Sequence, residues 1–322
     1  MTQVVHTADA ATGAQLATPV AMLVFNRPEP TAEVFAQIAR MRPRRLLLVA
    51  DGPRENRRGE AEACEATRAI VTSVDWPCEV ETNFAESNLG CKRRVASGLD
   101  WVFQQCEEAI ILEDDCVPHP SFFPFCEEML ARYRDDQRVG HIGGANFQLG
   151  RRRNDDSYYF SHFAHIWGWA SWRRAWNRYD VEMKAWPALR DGGWLDDILD
   201  TPAQVRYWTE ILDKVASGGV DTWDYQLMLA HWIHGSLTVL PSTNLVRNIG
   251  FGPDATHTVS HGRSAFLEAH EMKFPLQHPQ FLIRDKQADD YSHQTIFHSP
   301  WDARLKKRIK QLLGIKRRRR GA

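Results

Sequence analysis

Apolar and polar positions alternate in blocks along the first 115 residues, and the blocks predict strand and helix in turn. Residues 19–25 (PVAMLVF) form an apolar run closed by Asn26, Arg27 and Pro28, which predicts a buried strand. From Thr31 to Met41, Val34, Phe35 and Ile38 recur at helical spacing. Residues 45–50 (RLLLVA) predict a second strand ending at Asp51, Gly52 and Pro53, and a polar helical stretch follows to Val74. Residues 78–82 alternate like a third strand. Val95, Leu99, Val102 and Phe103 then mark a helix over 91–105, after Asn88, Leu89 and Gly90. A fourth strand, 109–112 (AIIL), runs straight into Glu113, Asp114 and Asp115.

This alternation predicts an α/β fold with a mostly parallel sheet covered on both faces, in which ligands bind at the carboxyl ends of the strands. Asn26, Asp51 and Asp115 all fall at such ends. The second half is less regular. Helices are predicted over 122–134 and 202–216, the latter leading to residues 221–226 and another helix through His234, and strands over 141–145 and 237–240. Residues 151–156 and the glycine-bearing 248–258 read as loops. Trp169, Trp172 and Trp176 have helical spacing, which places Trp172 and Trp176 in a core.

Composition changes this picture little: 43% hydrophobic and 25% charged residues in 322 suit a folded globular chain. Residues 1–18 lack the order of a secretory signal and read as a flexible lead, and no apolar run is long enough to span a membrane. Six scattered cysteines without paired spacing read as reduced thiols, so a cytoplasmic location is expected. Charge is more telling. Ten Lys or Arg fall in residues 304–320 without an acidic residue, leaving 30 basic against 41 acidic residues elsewhere. Leu305, Ile309, Leu312 and Leu313 share a helix face there, which predicts a basic amphipathic helix lying on an anionic membrane surface. A disordered solubilising tail is the rival reading; no stacking aromatics or reading motif points to nucleic acid.

Three carboxylates at a buried strand end need a positive partner. A hard divalent cation, Mn²⁺ or Mg²⁺, that also touches phosphate oxygens is the predicted one. Lys92 and Arg93, at the start of the 91–105 helix, suit an anionic nucleotide, with solvated surface charge the competing reading. Trp167 and Trp169 flank Gly168 and are candidates for a sugar-facing acceptor surface. His257, after a glycine-rich loop, is a candidate for reaching the metal or diphosphate, with His261 a weaker substitute, and the glycines suit a loop that closes over a donor.

The ordered set of NRP, ADG, a Lys-bearing helix, LEDD, GWASW and WDYQ resembles the GT-A-fold glycosyltransferases that use nucleotide sugars, over residues 19–260. The nearest named likeness is the N-acetylglucosaminyltransferase I family, whose metal motif is also Glu-Asp-Asp. Bacterial glycosyltransferase-like proteins, sometimes labelled hemolytic-protein-like, share the segments more closely. The resemblance implies a Rossmann-like nucleotide half over 19–118, an acceptor half over 119–260 and an extension over 261–322. It implies that Asp115 ligates the metal, that Asp114 lies near the ribose or a metal-bound water, and that Glu113 supports the site. Asp51 would contact the base, and Asn26 and Arg27 would lie near the nucleotide. Asp224 matches the neighbourhood of the catalytic base, although the family has two adjacent acidic residues where this chain has Trp223, Asp224 and Tyr225. Asp221, about one turn earlier, is the substitute.

The function this resemblance implies is a metal-dependent, inverting transfer of a sugar from a nucleotide sugar, most simply a UDP-sugar, to a glycan or other hydroxyl acceptor. A sugar-1-phosphate nucleotidyltransferase is an alternative, though residues 26–30 hold no glycine for its phosphate loop. A non-catalytic glycan- or nucleotide-binding module is another.

Overall fold

The computed structural model describes residues 15–251 and 267–297. In chain order its first half comprises β1 (Val20–Val24), α1 (Pro28–Met41), β2 (Arg45–Ala50), α2 (Glu60–Thr72), β3 (Glu79–Phe84), α3 (Cys91–Gln105), β4 (Glu108–Glu113) and β5 (Cys116–Pro118). Then come α4 (Phe122–Tyr133), β6 (Val139–Gly143), β7 (Tyr158–Ser161), β8 (Trp169–Trp172), α5 (Arg173–Trp176), α6 (Trp186–Asp191) and α7 (Leu195–Ile198). The last are α8 (Pro202–Ala216), α9 (Asp224–Ile233), β9 (Leu237–Pro241), β10 (Val246–Asn248) and α10 (Lys286–Thr295).

Eight strands form one sheet in the order β3-β2-β1-β4-β8-β6-β9-β7. β1 pairs in parallel with β2 and β4, and β2 with β3. β8 runs antiparallel to β4 and β6, β6 and β9 are parallel, and β7 is antiparallel to β9. β5 and β10 pair antiparallel apart from this sheet. The result is the predicted α/β architecture, a large sheet of mostly parallel strands flanked by helices.

Strand parity explains why both faces are covered. Successive side chains point to opposite faces. Met22, Leu46, Leu48, Ile110 and Leu112 join one core with Val34 and Ile38 of α1 and Phe122 of α4. Leu23, Leu47, Val49, Ala109 and Ile111 join the other with Leu99 of α3, Trp208 of α8 and Trp232 of α9. Continuous apolar strands are what a doubly covered parallel sheet requires.

The two sheet edges differ. β3 has Glu79 and Glu81, which pair with Arg45 of β2. β7 is covered by the segment at 277–285: Asp285 N–H donates to the Phe160 carbonyl at 2.7 Å and Ser157 N–H to that of Gln277 at 2.8 Å.

Two readings of elements change. α1 begins at Pro28, three residues before Thr31, because proline is tolerated in the first helical turn. Trp169 and Trp172 lie in a strand, not a helix, and the helical part of that segment is the single turn of α5. Both tryptophans are buried, as is Trp176. Residues 16–18, placed in the lead, are tied down: Leu16 N–H donates to the Met41 carbonyl, and Ala17 and Thr18 N–H to the Glu127 carboxylate. Residues 304–320 and both His257 and His261 lie outside the described residues. Among the described residues no helix is long and apolar enough to cross a membrane.

Candidate functional site

The acidic triplet divides by parity. Glu113 shares the face of Ala109 and Ile111, toward α3 and α9, whereas Asp114 begins the turn after β4 and meets Arg27 at the start of α1. The Arg27 guanidinium bridges two carboxylates. Its Nη2 pairs with Asp114 and also donates to Asp115 at 3.0 Å, while its Nε lies 3.4 Å from Asp114. Phe25 N–H adds a 3.4 Å contact to Asp114. Arg27 is aimed there by the helix start: its carbonyl accepts from Thr31 N–H and Oγ1, fixing the first turn directly after β1. The positive partner that the buried carboxylates require is, in the first instance, this arginine.

Burial opposes the Arg27 charge, but Asp114 and Asp115 outweigh it and hold the guanidinium protonated. Burial raises the pKa of Asp114, with Arg27 pulling the other way. Glu113 is raised well above the usual carboxylate range, by burial first and then by the charges of Asp115, Asp114 and Asp224. Its Oε1 is sealed from solvent and has no hydrogen-bond partner among the described residues. Asp224 therefore stands close enough to Glu113 to act on it. Positions 111 residues apart in sequence thus come within electrostatic reach across the β4–α9 boundary.

Asp224 is the first residue of α9, and the Thr222 hydroxyl donates to it. Its position also suits the helix dipole. Asp221 has a different task. Its carboxylate accepts from Cys91 and Lys92 N–H, both at 3.0 Å, and so caps α3 from another part of the chain. Gly90, at φ +79°, makes the turn, and a side chain there would meet Asp221 Oδ2 at 2.9 Å. Asp221, expected as the substitute base, thus caps α3 with one hydrogen bond on each oxygen. Lys92 pairs loosely with Glu182 at 3.6 Å.

Asp51 is also committed. One oxygen accepts from Gly52 and Leu89 N–H at 2.9 Å, the other from Asn88 Nδ2 at 2.9 Å and Gly90 N–H at 3.2 Å. Four donors fill the acceptor sites of a carboxylate. Asp51 thus fastens the 88–90 turn to the end of β2 rather than offering free oxygens to a base. Asn26 is held likewise, its Nδ2 donating to Glu60 at 3.0 Å.

Asp115 lies under the chain that follows β10. Ile249 N–H donates to its carbonyl at 2.8 Å, and Asn248 Nδ2 and Cys116 Sγ each approach its Oδ1 at 3.4 Å. A side chain on Gly250 would strike the Asp115 carboxylate. Phe251 packs edge-on against Trp167 at 5.6 Å, which brings Trp167 into this neighbourhood. Trp169 is not available to an acceptor: it is 1% exposed, stacked between His141 and Trp223. Burial of a β8 residue on both faces of the sheet leaves it no open ring face.

Among the described residues no group of three or more His, Cys, Asp or Glu side chains is placed to hold a metal. The donor set fits a cation in one limited way. Asp115 is more open than Asp114 and offers a carboxylate, and a bound diphosphate would have to bring further oxygens.

Sequence reasoning missed Cys91, whose thiol is held up by burial and by the charges of Glu113, Asp221 and Asp224, and which therefore faces this cluster. It also missed Thr222. The Gly90 signal before Cys91 marks the turn that places the thiol.

No protein-family model matches the chain, and no curated protein does. Solved structures with a similar fold include a mannosyltransferase from Pyrobaculum calidifontis in complex with GDP-Man and Mn²⁺, at 14% identity and a TM-score of 0.37. The match covers 52% of this chain and 48% of that one, so the chain spans about half its length. Another is a cytidylyltransferase from Leptospira borgpetersenii serovar Hardjo-bovis, at 10% identity and a TM-score of 0.31, covering 62% of this chain and 73% of that one.

Proposed function

We propose that this chain is a glycosyltransferase that uses a nucleotide sugar, most simply a UDP-sugar, and inverts the anomeric centre on transfer to a glycan or other hydroxyl acceptor. The observation that carries the reading is the meeting of Arg27, Glu113, Asp114, Asp115 and Asp224 at the carboxyl ends of β1 and β4. Ligands of open α/β sheets bind at such ends.

In this reading Arg27 turns part of its donor fork toward the diphosphate, for which guanidinium geometry is suited. The first N–H groups of α3 are taken by Asp221, so Arg27 rather than that helix terminus supplies the charge. Asp224 accepts the acceptor's hydroxyl proton as its oxygen attacks the anomeric carbon and the bond to the diphosphate breaks. A carboxylate within about 3 Å of that hydroxyl can take its proton. Asp115, with His257 as the further expected ligand, would hold Mn²⁺ or Mg²⁺. A divalent cation there supplies Lewis-acid stabilisation of the leaving group. Trp167 remains the candidate acceptor contact.

Thermal shift against a panel of nucleotide sugars, with Mn²⁺ or with EDTA, tests this directly, followed by turnover of the binders. A metal-dependent shift is expected in the unmodified protein and its loss in Asp115→Ala. Asp224→Asn should keep the shift and lose transfer by about 10²-fold or more. If no nucleotide stabilises the protein, the reading fails.

A further inference from the structure

A concave site lies at the β7 edge of the sheet, between the start of β7, the 151–156 loop and the 278–288 segment. It is a cavity of about 530 Å³. Four arginines line it (151, 152, 153 and 284) against two aspartates, Asp156 and Asp285. Two of the arginines are engaged by carboxylates. Arg153 lies 3.5 Å from Asp285, and Arg284 pairs with Asp200 and Asp289. The other two are not. Arg151 stacks over the Tyr291 ring at 4.5 Å, and Arg152 donates to the Asp156 carbonyl at 3.2 Å. Neither has a carboxylate partner among the described residues. Phe281, 63% exposed, stands at the rim, whereas Tyr158 and Phe160 are buried in the core behind the wall.

We infer that this cavity binds an anionic saccharide, a sugar or short oligosaccharide bearing a phosphate or carboxylate. Arginine forks freed of carboxylates match planar carboxylate and tetrahedral phosphate oxygens. The exposed ring of Phe281 at the rim suits the apolar face of a sugar.

Its position in the sheet gives it a use. β4 and β9 point the same way, and β7 runs antiparallel to β9 with Tyr158 opposite Pro241. The start of β7 therefore lies at the same end of the sheet as Asp115. Four strand spacings separate β7 from β4, about 19 Å. A chain of several sugars spans that distance. As an acceptor subsite the cavity rests on the glycosyltransferase reading; as a binding site it does not.

The test is titration calorimetry on the full-length protein with glucose 6-phosphate, a glucuronate-containing disaccharide, maltose, inorganic phosphate and UMP. The variant is Arg151→Glu combined with Arg152→Glu, both exposed positions whose replacement leaves the cores untouched. The two anionic sugars should bind at least tenfold tighter than maltose, and the double variant should lose that preference while keeping its thermal midpoint. Equal binding of maltose, or phosphate binding as tightly as glucose 6-phosphate, overturns the inference. So does UMP binding that the double variant abolishes. The nucleotide-sugar thermal shift is measured on the same samples. If that shift is absent but the arginine-dependent sugar binding is present, the transferase reading fails and the cavity stands. If the shift is present and the sugars do not bind, the cavity alone fails.

Discussion

Arg27 shows how much a single side chain settles. Its fork joins the turn after β4 to the start of α1 and neutralises charge that the sheet has drawn out of water. Removing one partner of a buried ion pair leaves the other uncompensated, at about 3–5 kcal/mol. Arg27→Met is expected to lower stability by that order in urea unfolding, and Asp114→Asn in the same chain should recover part of it. A cost below about 1 kcal/mol would mean that Asp114 is neutral without the arginine. The sequence alone gives no sign of this pair, because the partners are separated by 87 residues. The need for a positive partner was legible from the acidic strand end; its identity was not.

Among the elements, α3 carries the clearest division of labour. Its N-terminus is closed by Asp221, a cap supplied by the loop before α9. Loss of a capping carboxylate costs about 1 kcal/mol. Asp221→Ala should therefore lower the unfolding midpoint modestly and leave transfer intact; lost transfer at full stability would make Asp221 the base instead. The βα units up to β4 were readable from periodicity because β1, β2 and β4 are buried on both faces, and the edge strand β3 was readable from its alternation. The second half was less so. β7 (YYFS) and β5 are too short for a period to declare itself, and α10 (KQADDYSHQT) is polar almost throughout. The tryptophans of β8 mimicked helical spacing, since three residues apart is also a possible distance within a strand and the turn that follows it.

On the scale of the whole molecule, three buried histidines link the fold to pH. His141, His165 and His231 gather around β6, and burial holds His141 down to about 4 and the other two to about 3. In the unfolded chain each returns to its ordinary value near 6.5. Above that pH both states are neutral and nothing is lost. Below it the unfolded chain takes up protons that the fold refuses, so stability falls from about pH 6.5, down to about pH 4 for His141 and about pH 3 for the other two. The loss at pH 5 is roughly 2 kcal/mol per histidine. Glu113, raised in the fold, acts in the opposite sense and softens the decline. Urea midpoints at pH 7 and pH 5 check this; an unchanged midpoint would mean that the histidines are hydrated or charged within the fold.

The contrast between the two sheet edges bears on how the molecules behave in a crowd. An open strand edge is a template on which another chain can add its own strand, the first step toward fibrils and swapped dimers. β3 answers with Glu79 and Glu81, whose charge a second copy of the same strand would have to face. β7 answers with a covering of its own chain, so its outer hydrogen-bonding groups are already spoken for at Ser157 and Phe160. The sheet thus presents a charged row at one edge and an occupied strand at the other, and neither offers a bare template to a neighbouring copy.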